Sequence, residues 1–92
     1  IIDGTRYVIE RGIANPNRIC IYGGSFGGYS AMMAPAVDSE LFRCAYGYVG
    51  MYDAQIQFKR SDTGNSNDGE RYLDRAFGKT REEQIAMSPI TY

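Results

Sequence analysis

The 92-residue sequence contains no histidine and no tryptophan, and only two cysteines and three prolines. Without histidine the chain lacks the side chain most often used as a general base, and also the commonest metal ligand. Its two cysteines stand in no zinc-ligand spacing, so no metal site and no cofactor is expected. Two cysteines are too few for a disulfide framework. Cys20 and Cys44 each fall in a stretch that reads as strand interior, so both are expected as unbridged, buried core residues that leave the compartment open. No apolar run reaches roughly eighteen residues, so no membrane-spanning helix is expected, and no signal-peptide pattern is seen. An excess of one charge is missing too. Ten basic and eleven acidic residues give a net charge of −1, and the short cluster Lys79-Thr80-Arg81 is followed at once by Glu82-Glu83. A nucleic-acid partner needs a basic patch that this sequence does not have.

What the chain does have is an ordinary globular share of apolar residues, 43%, and a clear order of elements. Residues 2–11 carry an apolar stripe at helical spacing, and Gly12 can end that helix in a left-handed conformation. Asn15-Pro16-Asn17 is a turn. Residues 18–22 are short, apolar and rich in β-formers, and read as a buried strand. A helix follows from about Gly27 to Val37, with Pro35 expected to kink or end it. Residues 43–49 make a second buried strand. Strand, helix, strand within so few residues is a βαβ unit, which places the chain in the α/β class with a parallel sheet flanked by helices. Beyond it, residues 54–60 read as a short helix and 61–69 as a mobile polar loop. Residues 70–77 read as a helix with Tyr72, Leu73, Ala76 and Phe77 inward, and 81–87 as a last short helix. Both ends read as cut, and the closing Ser88-Pro89-Ile90-Thr91-Tyr92 reads as the approach to a strand. The chain is therefore expected to be a piece of a larger domain, poorly folded or aggregation-prone when isolated, because its sheet edges lack partners.

The chemistry sits between the first strand and the second helix. Gly23-Gly24-Ser25-Phe26-Gly27 fits G-x-S-x-G, the strand-to-helix bend that exposes a nucleophilic serine. Glycines two before and two after let the two backbones pass closely. The helix N-terminus presents unpaired N–H groups that favour developing negative charge, and the Phe26 backbone N–H is the natural first donor of an oxyanion hole. A tight turn with Ser25 as a plain helix cap is the bland alternative. A phosphate-cradling loop is not supported. The dinucleotide fingerprint fails at its second glycine, which falls on Ser25 or Phe26, and no Gly-Lys pair is present for a P-loop. A serine needs a base to take its proton, usually a histidine held by a carboxylate. Neither Lys59 nor Lys79 has a context that points at Ser25. In this architecture acid and histidine follow the serine, so Asp38, Asp53 and Asp74 are poor choices for the orienting role.

With these residues in view, the chain resembles the catalytic domain of the prolyl oligopeptidase family of serine peptidases, its acylaminoacyl-peptidase and dipeptidyl-peptidase-like members above all. The resemblance is carried by Asn15-Pro16-Asn17-Arg18-Ile19, Gly24-Ser25-Phe26-Gly27-Gly28-Tyr29, Glu40-Leu41-Phe42-Arg43-Cys44, Tyr48-Val49-Gly50-Met51-Tyr52-Asp53, Glu70-Arg71-Tyr72-Leu73 and Ser88-Pro89-Ile90. The doubled glycine followed by Tyr29 is far more selective than the five-residue elbow. The resemblance implies a partial α/β-hydrolase fold, residues 1–92 forming one fragment of a peptidase domain. It implies Ser25 as nucleophile and the Phe26 N–H as one oxyanion donor. Many relatives have Tyr in place of Phe26, which removes a hydroxyl but leaves the N–H. It further implies a substrate pocket touched by Phe26, Met51 and Tyr52, with Met51 equally readable as core filler. The acid and histidine would follow Tyr92, the second oxyanion donor would precede the first helix, and a β-propeller would lie upstream.

The implied activity is hydrolysis of short peptides through an acyl-enzyme on Ser25, with a peptide substrate as partner and neither nucleic acid nor membrane. A carboxylic ester hydrolase of the same fold shares the elbow, and a non-catalytic α/β domain would leave Ser25 inert. Lacking a histidine, the isolated chain is expected to be inactive. Compartment, oligomeric state and substrate preference are left open.

Overall fold

The computed structural model describes all of residues 1–92, which form two units, Ile1–Gly50 and Met51–Tyr92. No helix is long and apolar enough to cross a membrane.

The first unit opens with helix α1 (Ile2–Glu10). It stops because Gly12 adopts φ 70°, which lets the Gly12 N–H reach Ile9 O and the Ile13 N–H reach Val8 O, both at 2.9 Å. This pair of reversed bonds satisfies the last carbonyls of the helix. The Asn15 side chain then accepts from the Asn17 N–H at 2.9 Å and fixes the turn into the sheet. Strand β1 (Cys20–Gly24), helix α2 (Phe26–Val37) and strand β2 (Cys44–Tyr48) follow. The strands are parallel, with Cys20 opposite Cys44 and Gly24 opposite Tyr48. A parallel pair needs a crossover, and α2 supplies it. The helix buries Gly28, Tyr29, Ala31 and Ala34; three of these four are small. Pro35 lies inside α2 without ending it, because it falls in the last turn, where the loss of one N–H is outweighed by packing of the turns before it.

Both strands differ from the fully buried strands read in the sequence. Their burial alternates, and Tyr22 and Tyr46 are 70% and 60% exposed. Helix α2 packs against the two-stranded sheet, and every second side chain projects to the other, open side. The cysteines differ from expectation for the same reason. Cys20 and Cys44 are exposed rather than buried, and they are joined in a disulfide. As register partners they share a face, and their Cα atoms are 4.6 Å apart, within bridging range.

The second unit packs α3 (Ala54–Arg60), α4 (Asn67–Phe77) and α5 (Arg81–Ala86) around Ala54, Leu73 and Phe77. Residues 61–69, expected as a mobile loop, hold a single 3-10 turn at Thr63–Asn65 and the start of α4. The serines of this stretch do the work. The Gly64 N–H donates to Ser61 Oγ at 3.0 Å and the Gly69 N–H to Ser66 Oγ at 3.1 Å. A Cβ on Gly69 would fall 1.8 Å from Thr63 O, so the segment is closely packed. Leu73 and Phe77 face inward as expected, but Tyr72 is 45% exposed. The closing residues form a 3-10 turn at Pro89–Thr91 instead of approaching a strand. Ser88 is buried and ties two helices: its hydroxyl accepts from the Ala54 N–H at 2.9 Å and donates to Gln84 O at 2.6 Å.

Helix α5 begins with a capping box. Thr80 Oγ1 accepts from the Glu83 N–H at 3.2 Å, while the Glu83 carboxylate accepts from the N–H groups of Thr80 at 3.0 Å and Lys79 at 2.9 Å. The Thr80 N–H first, and then the Lys79 N–H, hold this carboxyl below the ordinary glutamate range. A carboxyl depressed in the folded state stabilises fully above its unfolded value and loses that contribution as pH falls through its folded value. The expected outcome is that an NMR titration of Glu83 finds a midpoint below that of an unfolded peptide. Protection of the Lys79 and Thr80 amides should fade in the same acidic window and disappear in Glu83→Ala. A midpoint equal to the peptide's would contradict the cap.

Candidate active site

The bend between β1 and α2 is made at one residue. Strand β1 ends at Gly24, α2 begins at Phe26, and Ser25 between them has φ 54° and ψ −123°. This lies outside the regions open to residues with a Cβ and costs about 1–3 kcal/mol. Three backbone bonds hold it there. The Ser25 N–H donates to Tyr48 O of the neighbouring strand at 2.9 Å, and Ser25 O accepts from the Gly28 N–H at 3.0 Å and the Tyr29 N–H at 3.3 Å. The residue thus belongs to the sheet through its nitrogen and to the helix through its carbonyl.

Two glycines make the crossing sterically possible. A Cβ on Gly23 would fall 2.1 Å from Gly27 O, and one on Gly28 would fall 2.9 Å from Tyr48 O and 3.2 Å from Gly23 O. Gly27 has open space where its Cβ would be. The tight positions are therefore Gly23 and Gly28, not the two outer glycines of the five-residue pattern. Gly27 contributes the backbone that Gly23 must avoid.

Ser25 occupies the N-cap position of α2, but its side chain makes no capping hydrogen bond. The residue is exposed. Its hydroxyl is thus not consumed in finishing the helix, which is what the plain-cap alternative requires. The Phe26 N–H lies in the first turn, where no intrahelical acceptor exists, beside the positive end of a helix of 12 residues. The Phe26 ring is 52% exposed and leans on Tyr29, centroids 5.6 Å apart. A second strained residue sits at the same edge of the sheet. Val49 follows β2 with φ 45°, an outlier for a β-branched side chain. Both non-glycine residues with positive φ therefore stand at the carboxyl ends of the strands, the edge at which open α/β sheets bind ligands.

The structure brings Ser25 and Phe26 together at the elbow. Met51 and Tyr52 are half-buried and belong to the second unit, where Tyr52 O accepts from the Ile90 N–H at 3.1 Å. Of the carboxylates set aside in the sequence, Asp38 pairs with Arg6 at 2.6 Å, and Asp53 caps α3 by accepting from the Gln55 and Ile56 N–H groups at 2.9 and 3.3 Å. Sequence reasoning did not find Tyr48. Its contribution is a backbone carbonyl that any residue could supply, so only the strand register reveals it.

Comparison with known proteins agrees with the resemblance read from the residues. The profile of the prolyl oligopeptidase family matches residues 1–92. The chain belongs to that family, a family of serine peptidases. A relative, "Dipeptidyl peptidase family member 6" of Caenorhabditis elegans, is 34% identical over 50 residues, which is 54% of this chain and 7% of the relative. The matched stretch is thus a small part of that protein's length. No solved structure gives a significant match.

The steric reading separates three neighbouring glycines. Gly23→Ala and Gly28→Ala are expected to destabilise the chain by about 1–3 kcal/mol or more, because each new methyl meets backbone. Gly27→Ala should be neutral or stabilising by up to about 1 kcal/mol, since helix propensity improves in open space. Urea unfolding of the three variants, made in a protein extended through the segment that follows this chain, checks this. Equal effects at all three positions would contradict the elbow geometry.

Proposed function

We propose that this chain carries the nucleophile of a serine peptidase with an α/β-hydrolase catalytic domain, and that Ser25 is that nucleophile. The observation that carries the reading is an exposed serine at φ 54°, on a strand-to-helix bend, whose hydroxyl leaves the helix uncapped. Family membership supports it.

In this reading Ser25 Oγ attacks the carbonyl carbon of a peptide bond, and a base takes its proton. Negative charge gathers on the carbonyl oxygen, where the Phe26 N–H donates to it, aided by the helix terminus. Collapse of the tetrahedral intermediate leaves an acyl group on Ser25 and releases the amine. Water then takes the place of the departed amine: it attacks the acyl carbon as the base takes its proton, and collapse releases the carboxylic acid and returns a proton to Ser25 Oγ. The residues Phe26, Met51 and Tyr52 are proposed to touch substrate. The base is proposed to be a histidine outside these 92 residues, since the chain contains none, and the orienting acid is placed there with it. The relative's far greater length is in keeping with this. The chain by itself is then expected to turn over no substrate, since an unactivated serine hydroxyl is a weak nucleophile.

The second reading is a carboxylic ester hydrolase of the same fold. It shares every step up to the identity of the leaving group, and a non-catalytic domain shares none. A fluorophosphonate probe tests the choice. Applied to a protein extended through the segment that follows this chain, it should label one serine. The label should vanish in Ser25→Ala, with loss of turnover on the order of 10⁶-fold. Undiminished labelling in that variant would refute the assignment, and turnover of nitrophenyl esters with none of peptide amides would favour the esterase.

A further inference from the structure

The first turn of α3 needs acceptors for the N–H groups of Ala54, Gln55 and Ile56. The Asp53 carboxylate accepts from Gln55 and Ile56 at 2.9 and 3.3 Å. The Ala54 N–H instead donates to Ser88 Oγ at 2.9 Å, on a residue 34 positions later in the chain. We propose that Ser88 is a positioning residue for the peptide substrate: it fixes the backbone of the loop 51–53, which carries Met51 and Tyr52. The proposal rests on the reading in which those two side chains touch substrate.

Three observations lead there. First, direction: a serine hydroxyl has one hydrogen to give, and here it goes to Gln84 O at 2.6 Å. With that bond made, only lone pairs are left for Ala54, so the oxygen is aimed rather than free to turn. Second, burial: Ser88 is 2% exposed and Ala54 1%. Water cannot stand in for the hydroxyl at such a place, and an N–H left without its acceptor there is strongly disfavoured. Third, the tie is doubled. Ser88 precedes the 3-10 turn Pro89–Thr91, and the Ile90 N–H of that turn donates to Tyr52 O at 3.1 Å. The two bonds, Ser88 to Ala54 and Ile90 to Tyr52, hold the loop on either side of Asp53, whose backbone is extended at φ −133°.

The consequence is mechanical. Removing the hydroxyl strands the Ala54 N–H, and the start of α3 has to shift to find another acceptor. Tyr52 and Met51 immediately precede that start and move with it. A displacement of about 1 Å in a residue that holds substrate can cost on the order of 100-fold in rate. Ser88 takes no part in bond making, so a small reagent that needs no such loop should be indifferent to it.

The test uses a protein extended through the segment that follows this chain, compared with its Ser88→Ala variant. A peptide amide gives kcat and KM, and diisopropyl fluorophosphate gives the rate and extent of labelling at Ser25. The expected outcome is a peptide KM raised on the order of 10-fold or more, with kcat and both labelling readouts within about twofold. A merely structural role gives another pattern: fewer active molecules lower kcat and labelling extent together and leave KM where it was. That pattern, a labelling rate that falls as far as kcat/KM, or an unchanged KM would each overturn the proposal. Should Ser88→Ala fail to fold, Ser88→Cys keeps a side chain in the space with a weaker acceptor. It is expected to raise KM as well, and an unchanged KM there would overturn the proposal equally. The two assignments fail separately. Label carried by another residue in the unsubstituted protein would remove Ser25 as nucleophile, and the KM comparison would still decide Ser88. An unsubstituted protein that turns over no peptide amide would overturn the role of Ser88, whichever residue carries the label.

Discussion

One backbone residue has to satisfy two kinds of secondary structure at once. Ser25 ends a strand and precedes a helix with nothing between them, and the geometry that permits this is one that side chains resist. The conformation persists because its N–H and C=O are both engaged, one to Tyr48 and the other to Gly28 and Tyr29. Relaxing φ would break the sheet contact or unwind the first turn of α2. Much else in the first unit follows from that constraint. Strand β2 has to run parallel and in register so that the Tyr48 carbonyl arrives opposite the bend. Helix α2 has to cross close to β1, which explains why Gly23 and Gly28 have no room for a Cβ.

The same constraint gives the serine its chemical setting. A helix start that is not capped by its own serine has N–H groups to offer, and a helix of 12 residues places a positive field there. Strain, exposure and unpaired donors coincide at one point of the sheet edge. In the proposed reading this site stabilises an oxyanion, and removal of the proton is assigned to a histidine, a residue these 92 positions do not include.

How far the sequence could be read depended on the range of the interaction. The bend was legible because its determinants, Gly23 through Tyr29, are contiguous and because strand and helix patterns flank them. The end of α1 was legible in Gly12 for the same reason. Pairing across the sheet was not. A shift of one residue in register would have sent Cys20 and Cys44 to opposite faces, and nothing local sets that register. The open face was hidden too, since Tyr22 and Tyr46 look the same in a sequence whether or not a second layer covers them. Residues 61–69 were partly legible in retrospect. Ser66 followed by Asp68 and Glu70 is a helix-start signal that the polar composition masked. The burial of Ser88 carried no local signal, because the N–H its hydroxyl accepts from, that of Ala54, lies 34 residues earlier in the sequence.

The most direct measurement is a crystal structure of an organophosphate-inhibited protein that contains this chain and the segment after it. The account requires phosphorus bonded to Ser25 Oγ, with a phosphoryl oxygen within hydrogen-bond distance of the Phe26 nitrogen and Ser25 still at positive φ. Phosphorus on a different residue, or its oxygen turned away from the start of α2, would contradict it.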